Sequence, residues 1–234
     1  MQIRKFNSVE GKMELITIGT GSKGNCYLLR RNNGRYIALD CGMPWKHVLV
    51  GCSFMPIKID LALYTHKHID HGKYIAAFLK NGIPVYGPHN FQPGKTKRYY
   101  DISFTAFAVP HDVPCYGYLI QVDGEKLIYI TDFGYCKYTF KSQEVDHWLV
   151  ACNHIDPPMY TEEKYVHVVT GHSSLSTVKD LLTANKTDKM RNVIICHYSE
   201  DADIDRIEQE IKETVGNEVK VSVARKGKIT CLNS

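Results

Sequence analysis

A short cluster of histidines and one aspartate limits what this chain can fold into more than any other feature of its sequence. The cluster reads HKHIDH at residues 66–71 and directly follows an apolar run. His66 and His68 are two positions apart, so an extended backbone points both imidazoles to one side, where neutral ring nitrogens can bind one cation. Asp70 and His71 come just after the chain turns and can face a second ion. A solvated histidine-rich loop is the alternative, but such polar tracts rarely follow a buried strand.

Length and composition predict an ordinary globular protein. With 234 residues, 44% hydrophobic and 23% charged, the chain can form one large α/β core or two small ones, and we expect one domain over residues 1–234. No apolar run approaches the ~18 residues of a membrane span, and the N-terminus lacks a secretory signal, so we expect a soluble cytoplasmic protein with no membrane partner. The eight cysteines form no CxxC pair and are expected to be reduced core residues. A net charge of +4 permits a polyanionic substrate.

Hydrophobic patterns predict two packed sheets with helices outside, because strands dominate the first half and helices alternate with strands in the second. Two hairpins are indicated, with turns at Asn32-Asn33-Gly34 and Asp123-Gly124. The other predicted elements are buried strands over 148–152 and 192–196, helices over 73–82, 174–186 and 203–215, and a final strand pair over 220–232. The first helix would place Ile75, Ala76, Phe78 and Leu79 on one stripe, and Asp203 would cap the last one.

A glycine-rich segment at residues 19–24 matches the GxGxxG pattern of dinucleotide-binding proteins, and Asp40 follows at a suitable distance. That pattern requires a helix directly after it, whereas here the chain continues into a predicted strand. We therefore expect a tight loop whose amides, with Ser22 and Asn25, line the rim of a pocket.

Three further residues follow predicted strands and complete two candidate metal sites. His111 would join His66 and His68 in a first site that leaves its fourth position for water, and His197 would join Asp70 and His71 in a second. Asp132 would bridge the two ions. A lone histidine or aspartate at a strand end is more often structural, so the prediction depends on their joint order along the chain.

This pattern of ligands resembles the metallo-β-lactamase superfamily. The segments that carry the resemblance are GSKGNCYL, LDCG, THKHIDH, PHDVPCYGY, TDFGY, NH and GHSS. Together they are most similar to YycJ- or WalJ-like single-domain proteins, relatives of ribonuclease Z and ribonuclease J. The resemblance implies an α/β fold, a four-layer αββα sandwich with two metals in a cleft at one sheet edge. It also implies phosphodiester hydrolysis, with DNA the expected substrate and RNA the alternative.

Two features depart from the family pattern. Where we expect an acidic residue shortly before the asparagine of the NH motif, this chain reads Ala151-Cys152-Asn153-His154, so any role of that carboxylate is absent or moved. The region between residues 88 and 104 is short and leaves no room for a β-CASP domain or a protruding arm. Ribonuclease J itself is therefore not expected.

The expected chemistry uses two divalent ions, zinc or manganese, that hold a bridging hydroxide and neutralise charge on the phosphate. Asp70 could orient that hydroxide, and His172 could contact the phosphate or protonate the leaving oxygen. Further candidates for substrate contact are Asn153, His154, Ser173 and Ser174, near the start of a helix. The alternative for His172 is a residue beside the helix cap with no role.

A basic and aromatic segment with Lys95, Lys97, Arg98, Tyr99 and Tyr100 suits phosphate contact and base stacking. Short charge runs are usually exposed faces, so a solvated turn is the favoured interpretation. The remaining histidines match no part of the pattern and are assigned to surface or packing, namely His47, His89, His147 and His167.

The leading functional hypothesis is a dinuclear metal-dependent phosphodiesterase acting on nucleic acid, most simply a DNA exonuclease. Hydrolysis of a thioester, lactone or β-lactam on the same scaffold is one alternative. A metal-binding module without turnover is another, supported by the missing carboxylate before Asn153. The residues leave open the metal, the polarity of digestion and the oligomeric state.

Overall fold

Two β-sheets form the centre of the protein in the computed structural model, which describes residues 11–155 and 171–233. The first sheet contains six strands in the order β13-β1-β2-β3-β4-β5. These strands are β1 (Glu14–Gly19), β2 (Cys26–Arg30), β3 (Tyr36–Leu39), β4 (Ile59–Leu63), β5 (Val85–Tyr86) and β13 (Ile229–Cys231). The predicted hairpin around Gly34 is confirmed, because β2 and β3 pair antiparallel with Leu28 opposite Ala38.

The second sheet contains seven strands in the order β12-β11-β10-β9-β8-β7-β6. These strands are β6 (Thr96–Tyr99), β7 (Ile102–Val109), β8 (Cys115–Val122), β9 (Glu125–Ile130), β10 (His147–Ala151), β11 (Asn192–Cys196) and β12 (Lys220–Val223). The four strands from β6 to β9 are antiparallel neighbours, which confirms the predicted hairpin at Gly124. The strands from β9 to β12 are parallel.

Helices cover the outer faces of both sheets. They are α1 (Trp45–Gly51), α2 (Ile69–Gly72), α3 (Ile75–Lys80), α4 (Leu175–Asn185) and α5 (Ile204–Val215), with short 3-10 turns at Pro56–Lys58 and Lys141–Gln143. The side chain of Asp203 caps α5 by accepting a hydrogen bond from the Arg206 amide, as predicted. Ser174 caps α4 in the same way, accepting from the Thr177 amide.

Alternation along the strands of the first sheet explains the layered architecture. In β2, Tyr27 and Leu29 belong to the core between the sheets, whereas Leu28 packs in a second cluster with Val48 of α1 and Phe78 of α3. Successive side chains of a strand point to opposite faces, so this sheet is buried on both sides. Apolar residues of α4 and α5 extend the central core across the second sheet. The result is the predicted α/β, four-layer αββα sandwich.

Three local predictions were wrong. The segment 220–232 does not form a strand pair, because β12 joins the second sheet beside β11 and β13 joins the first beside β1. The segment 95–100 is not a turn, because it contains the edge strand β6. In α3, Phe78 is buried but Ala76 and Leu79 are exposed, so the predicted stripe is narrower than the sequence indicated.

The eight cysteines are free thiols, and six of them are buried. Burial raises the pKa of the Cys152 thiol to about 12, so this side chain is an unreactive part of the core. Within the two described ranges, no helix combines the length and hydrophobicity needed to cross a bilayer. His167 lies outside the described residues.

Candidate metal centre

The candidate metal ligands lie where strands of both sheets end. His66 and His68 follow β4 in the first sheet. In the second sheet, His111 follows β7, Asp132 follows β9 and His197 follows β11. Asp70 and His71 lie in the short helix α2, which begins directly after His68. The structure brings all seven predicted ligands to one edge of the sandwich.

The first group consists of His66, His68 and His111. The Nδ1 atom of His68 lies 3.1 Å from Nε2 of His66 and 3.3 Å from Nε2 of His111. Tetrahedral zinc with Zn–N distances of ~2.0–2.1 Å separates its nitrogen ligands by roughly 3.3 Å. Three ring nitrogens cannot all donate protons to one another, so a shared cation is the arrangement that uses all three lone pairs.

The second group consists of Asp70, His71 and His197. The Nε2 atom of His71 lies 3.1 Å from Nε2 of His197 and 3.1 Å from Oδ2 of Asp70. The Asp70 Oδ2 atom is 3.2 Å from His197 Nε2. Two imidazoles and one carboxylate are donors that zinc, manganese and iron all accept.

Asp132 lies beside both groups. Its Oδ2 atom is 2.9 Å from His71 Nε2 and 3.4 Å from His197 Nε2. The same carboxylate groups with His66 and His71 in a set of donor atoms that all lie within 4.8 Å of one another. A carboxylate in this place can reach ions in both groups, as the sequence predicts.

The electrostatics of the pocket favour cation binding. Burial, helped by the charge of neighbouring His71, lowers the pKa of His66 to about 2, so its lone pair is available at neutral pH. Burial would raise the pKa of Asp132, but His197 and His71 outweigh it and hold that pKa well below its usual range. Burial would likewise raise the pKa of Asp70, but hydrogen bonds from His197 and His71 outweigh it and lower that pKa. The pocket therefore combines ionised carboxylates with the neutral imidazole of His66.

A buried carboxylate, Asp40, orients His71 from behind. Its Oδ2 atom lies 2.6 Å from Nδ1 of His71. The Asp40 carboxylate also accepts hydrogen bonds from the Thr65 amide at 2.7 Å and from the Tyr129 hydroxyl. Burial would lower the pKa of His71, but the carboxylates of Asp40 and Asp132 outweigh it and raise that pKa. A carboxylate on the far nitrogen of a ligating histidine fixes which nitrogen faces the metal.

Three residues at this edge have a strained backbone conformation. Asp40, Asp132 and His197 have φ angles of 60°, 48° and 46°, the left-handed region that residues other than glycine rarely adopt. Each such residue costs about 1–3 kcal/mol and persists only where its surroundings hold it in place. All three directly follow or nearly follow strands of the two sheets, so the sandwich itself imposes the conformation.

Gly42 allows the backbone of Asp70 to approach the first sheet. A Cβ atom at this position would lie 1.7 Å from the Asp70 carbonyl oxygen, so any other residue would displace the turn. The Asn25 amide donates to the same carbonyl at 2.6 Å, and the Cys41 amide donates to the His71 carbonyl at 2.7 Å. The LDCG segment and the glycine-rich loop thus anchor the HKHIDH cluster.

Comparison with known proteins finds similarity to the metallo-beta-lactamase superfamily over part of the chain. A family model described as the metallo-beta-lactamase superfamily matches residues 19–108, which include strands β2 to β5 of the first sheet and the HKHIDH cluster. The crystal structure of the metallo-beta-lactamase fold protein YhfI from Bacillus subtilis has a TM-score of 0.73 at 18% identity, covering 94% of this chain and 99% of YhfI. Part of the chain is thus similar to the metallo-beta-lactamase superfamily, and its fold is that of a metallo-beta-lactamase fold protein.

Two other similar proteins are informative. Exodeoxyribonuclease WalJ from Streptococcus pneumoniae is 26% identical over 165 residues, covering 58% of this chain. The match spans 61% of the length of WalJ. The short form of human tRNase Z has a TM-score of 0.64 at 14% identity, covering 95% of this chain and 100% of that one. At 14% and 18% identity, the two structures establish the fold alone.

Three residues that we expected to contact substrate are buried beside the candidate ligands. Asn25 and Ser173 have no exposed surface and Asn153 is 3% exposed. Asn25 Nδ2 lies 3.1 Å from His71 Nε2, and Asn153 Nδ2 lies 3.0 Å from His197 Nδ1. Ser173 in turn donates to the Ala151 carbonyl at 2.7 Å. These side chains support the candidate ligands instead.

The other predicted contacts lie closer to solvent. Ser22 is exposed on the glycine-rich loop, and Ser174 caps α4. His154 is half-buried, and its backbone bridges to Ser174. The side chain of His172 is 28% exposed, with Nδ1 3.6 Å from Oδ1 of Asp132. His172 therefore lies beside the donor groups without belonging to them, and its side chain is partly exposed to solvent.

Sequence reasoning missed Asp112, a further acidic residue at the mouth of the site. Its Oδ2 atom lies 3.3 Å from Nε2 of His68 and its Oδ1 atom 3.0 Å from Nε2 of His111. Because His68 presents Nδ1 to the first group, its Nε2 carries the proton, and Asp112 can accept it in a hydrogen bond. The signal was present in the sequence, since Asp112 directly follows a candidate ligand.

Proposed function

We propose that this protein is a metal-dependent phosphodiesterase that binds two divalent ions and hydrolyses nucleic acid, with DNA as its substrate. One observation carries the proposal. Three histidines on one side and Asp70, His71 and His197 on the other present their donor atoms at 3.1–3.3 Å spacings, with Asp132 beside both groups. Divalent ions bound there would supply Lewis-acid catalysis, lowering the pKa of water and neutralising charge on a phosphate.

The surrounding side chains support phosphate chemistry. His172 is half-exposed beside Asp132, so it can contact a phosphate oxygen or deliver a proton from its ring to the leaving oxygen. Its Nδ1 atom faces Asp132, at 3.6 Å from Oδ1. Ser174 and the first turn of α4 add a hydroxyl and amides that favour an anion. Ser22 and His154, at the rim, are further candidates for substrate contact.

The relatives favour DNA as the substrate. WalJ, the relative with the highest sequence identity among those described above, is named an exodeoxyribonuclease. The name of tRNase Z indicates an RNA substrate, but that protein shares 14% identity with this chain, against 26% for WalJ. Sequence similarity is the better guide of the two, because one fold supports many activities.

The experiment compares four substrates after the protein has been stripped with EDTA and reloaded with Zn²⁺ or Mn²⁺. The substrates are bis(p-nitrophenyl) phosphate, single-stranded DNA, RNA and a thioester. We expect metal-dependent hydrolysis of the phosphodiesters, with DNA degraded faster than RNA. Turnover of the thioester alone would overturn the proposal, and faster turnover of RNA would overturn its DNA assignment.

Variants of His172 test the catalytic part of the proposal. His172→Ala should lower kcat by ~100-fold or more, which is the usual contribution of a positioned proton donor. Bound metal, measured by mass spectrometry, should stay at the wild-type level, because His172 belongs to neither donor group. The matched control is His89→Ala, since His89 is exposed, packs on Tyr64 and belongs to neither donor group. Equal activity of the two variants would remove His172 from the mechanism.

A further inference from the structure

We infer that the edge strand β6 with its flanking residues is a binding track for single-stranded DNA. We define the β6 track as Lys95, Lys97, Arg98, Tyr99 and Tyr100. The inference rests on the proposed function, because it assigns the substrate strand a path away from the metal centre. Its test is chosen so that it can fail independently of hydrolysis.

The position of β6 gives the track its direction. The strand is the outer member of the second sheet and pairs with β7, with Thr96 opposite Thr105 and Tyr99 opposite Ile102. Because β7 ends at Val109, two residues before His111, the Lys95 end of the track lies nearer the metal centre. At ~3.3 Å per residue, the seven steps from Ile102 to Val109 place Tyr100 roughly 23 Å or more from that centre.

The cations of the track are not neutralised by the protein. In the described ranges, no carboxylate forms an ion pair with Lys95, Lys97 or Arg98, and Lys97 Nζ instead lies 4.8 Å from the ring centroid of Tyr86. The nearest acidic residue in sequence, Asp101, pairs with buried Arg31. Three positive charges along one edge therefore remain available to phosphates.

Tyr100 supplies an aromatic platform at the far end of the track. It is 86% exposed, and its ring contacts that of Tyr99 edge to face with centroids 4.8 Å apart. Its φ angle of 54° lies in the left-handed region, where a tight hairpin turn normally has asparagine or glycine. A bulky aromatic residue at this position is strained and buries little surface, so folding does not explain it. Stacking of a nucleic-acid base on the exposed ring of Tyr100 would explain it.

A cavity of about 240 Å³ adjoins the platform. It is lined by Arg98, Tyr100, Ser103 and Gln121 among others, so a base on the ring would meet a cation and neutral hydrogen-bonding groups. Asp101 and Asp123 also line the cavity, and both form ion pairs with Nη2 of Arg31, whose Nη1 atom pairs with Asp60. The combination of cations and an exposed ring is that of proteins that bind single strands without sequence preference.

The test measures binding without cleavage. Anisotropy of fluorescein-labelled dT20 is recorded in EDTA for the wild type, Tyr100→Asn, and the double variant Lys95→Gln/Arg98→Gln. Tyr100→Asn is chosen because asparagine suits the left-handed backbone, so it should unfold at the same temperature as the wild type or higher. We expect each variant to weaken binding about tenfold, and the double variant to reduce the slope of log K against log salt by ~1.4.

The controls separate this inference from the proposed function. Lys189→Gln/Lys212→Gln removes two exposed charges near β11 and in α5, on the far side of the second sheet, and should bind dT20 as the wild type does. Hydrolysis of bis(p-nitrophenyl) phosphate by the metal-loaded variants should be unchanged, because this substrate is too small to reach the track. If the wild type fails to hydrolyse it, the proposed function fails while dT20 binding still tests the track.

Two results would overturn the inference. Lysines on an edge strand also prevent edge-to-edge aggregation. Unchanged dT20 affinity in both track variants would show that the charges serve this purpose alone. A loss of affinity in Lys189→Gln/Lys212→Gln equal to that in Lys95→Gln/Arg98→Gln would show that net charge, rather than the track, binds DNA.

Discussion

The Nε2 atoms of His71 and His197 lie 3.1 Å apart although 126 positions separate the two residues in the chain. His71 is held from the first sheet by Asp40, and His197 is held from the second by Asn153. The candidate metal centre therefore joins the two halves of the sandwich. Its integrity and the packing of the sheets should depend on each other.

Asp132→Ala should remove the link between the two donor groups. We expect bound metal to fall by at least one ion per chain and phosphodiester hydrolysis to fall by ~100-fold or more, because Asp132 lies beside both groups. Mass spectrometry of the native protein and an assay with bis(p-nitrophenyl) phosphate measure the two effects. His89→Ala serves as the control, and wild-type metal content in Asp132→Ala would contradict the prediction.

Asp112→Ala should weaken metal binding at the first donor group without removing a ligand. Loss of a carboxylate that accepts from a ligating histidine typically costs ~10–100-fold in affinity, and Asp112 Oδ2 lies 3.3 Å from His68 Nε2. Asp112→Asn keeps an acceptor oxygen and should lose less metal affinity than Asp112→Ala. Competition with a chromogenic chelator measures both affinities. Equal affinity of both variants and the wild type would show that His68 needs no such partner.

Metal removal should destabilise the fold. A ligand present at 100 times its dissociation constant stabilises the native state by about 2.7 kcal/mol for each site. For a chain of this size, each kcal/mol corresponds to a shift of roughly 2–4 °C in the unfolding midpoint, so EDTA should lower the midpoint by about 5–10 °C per site. Differential scanning calorimetry before and after Zn²⁺ is restored gives the comparison. An unfolding midpoint that EDTA does not change would mean that the donors bind no metal in the native protein.

Glu125 should make stability depend on pH at the end of the sandwich away from the metal centre. A hydrogen bond from His147, at 2.6 Å, lowers the pKa of Glu125, and Arg191 adds to this against the effect of burial. Because the folded pKa is below the usual 4.5, the stabilisation is complete above pH 4.5 and is lost as the pH falls through the folded value. Urea unfolding at pH 3 to 7 should show that Glu125→Gln is less stable than the wild type near neutrality. The difference in unfolding free energy between the two proteins should disappear in acid. A difference that stays constant with pH would contradict the prediction.

Local patterns predicted most of the fold because they act over a few residues. The turn at Asn32-Asn33-Gly34 and the cap at Asp203 depend on backbone preferences of the residues themselves, and both are present. The segment 220–232 shows the limit. The alternation of apolar and polar residues in this segment correctly indicated two strands. The residues of a strand do not by themselves determine which neighbouring strand it pairs with.

The sequence by itself determined which side chains are available for chemistry and that they follow strands, because ligand type and strand propensity are local properties. Only the tertiary structure decided that Asn25, Asn153 and Ser173 are buried supports, that Asp112 faces His68, and that β12 and β13 join different sheets. These outcomes depend on contacts between residues far apart in the chain. Their free energy comes from packing and burial of the whole sandwich rather than from the preferences of any one segment.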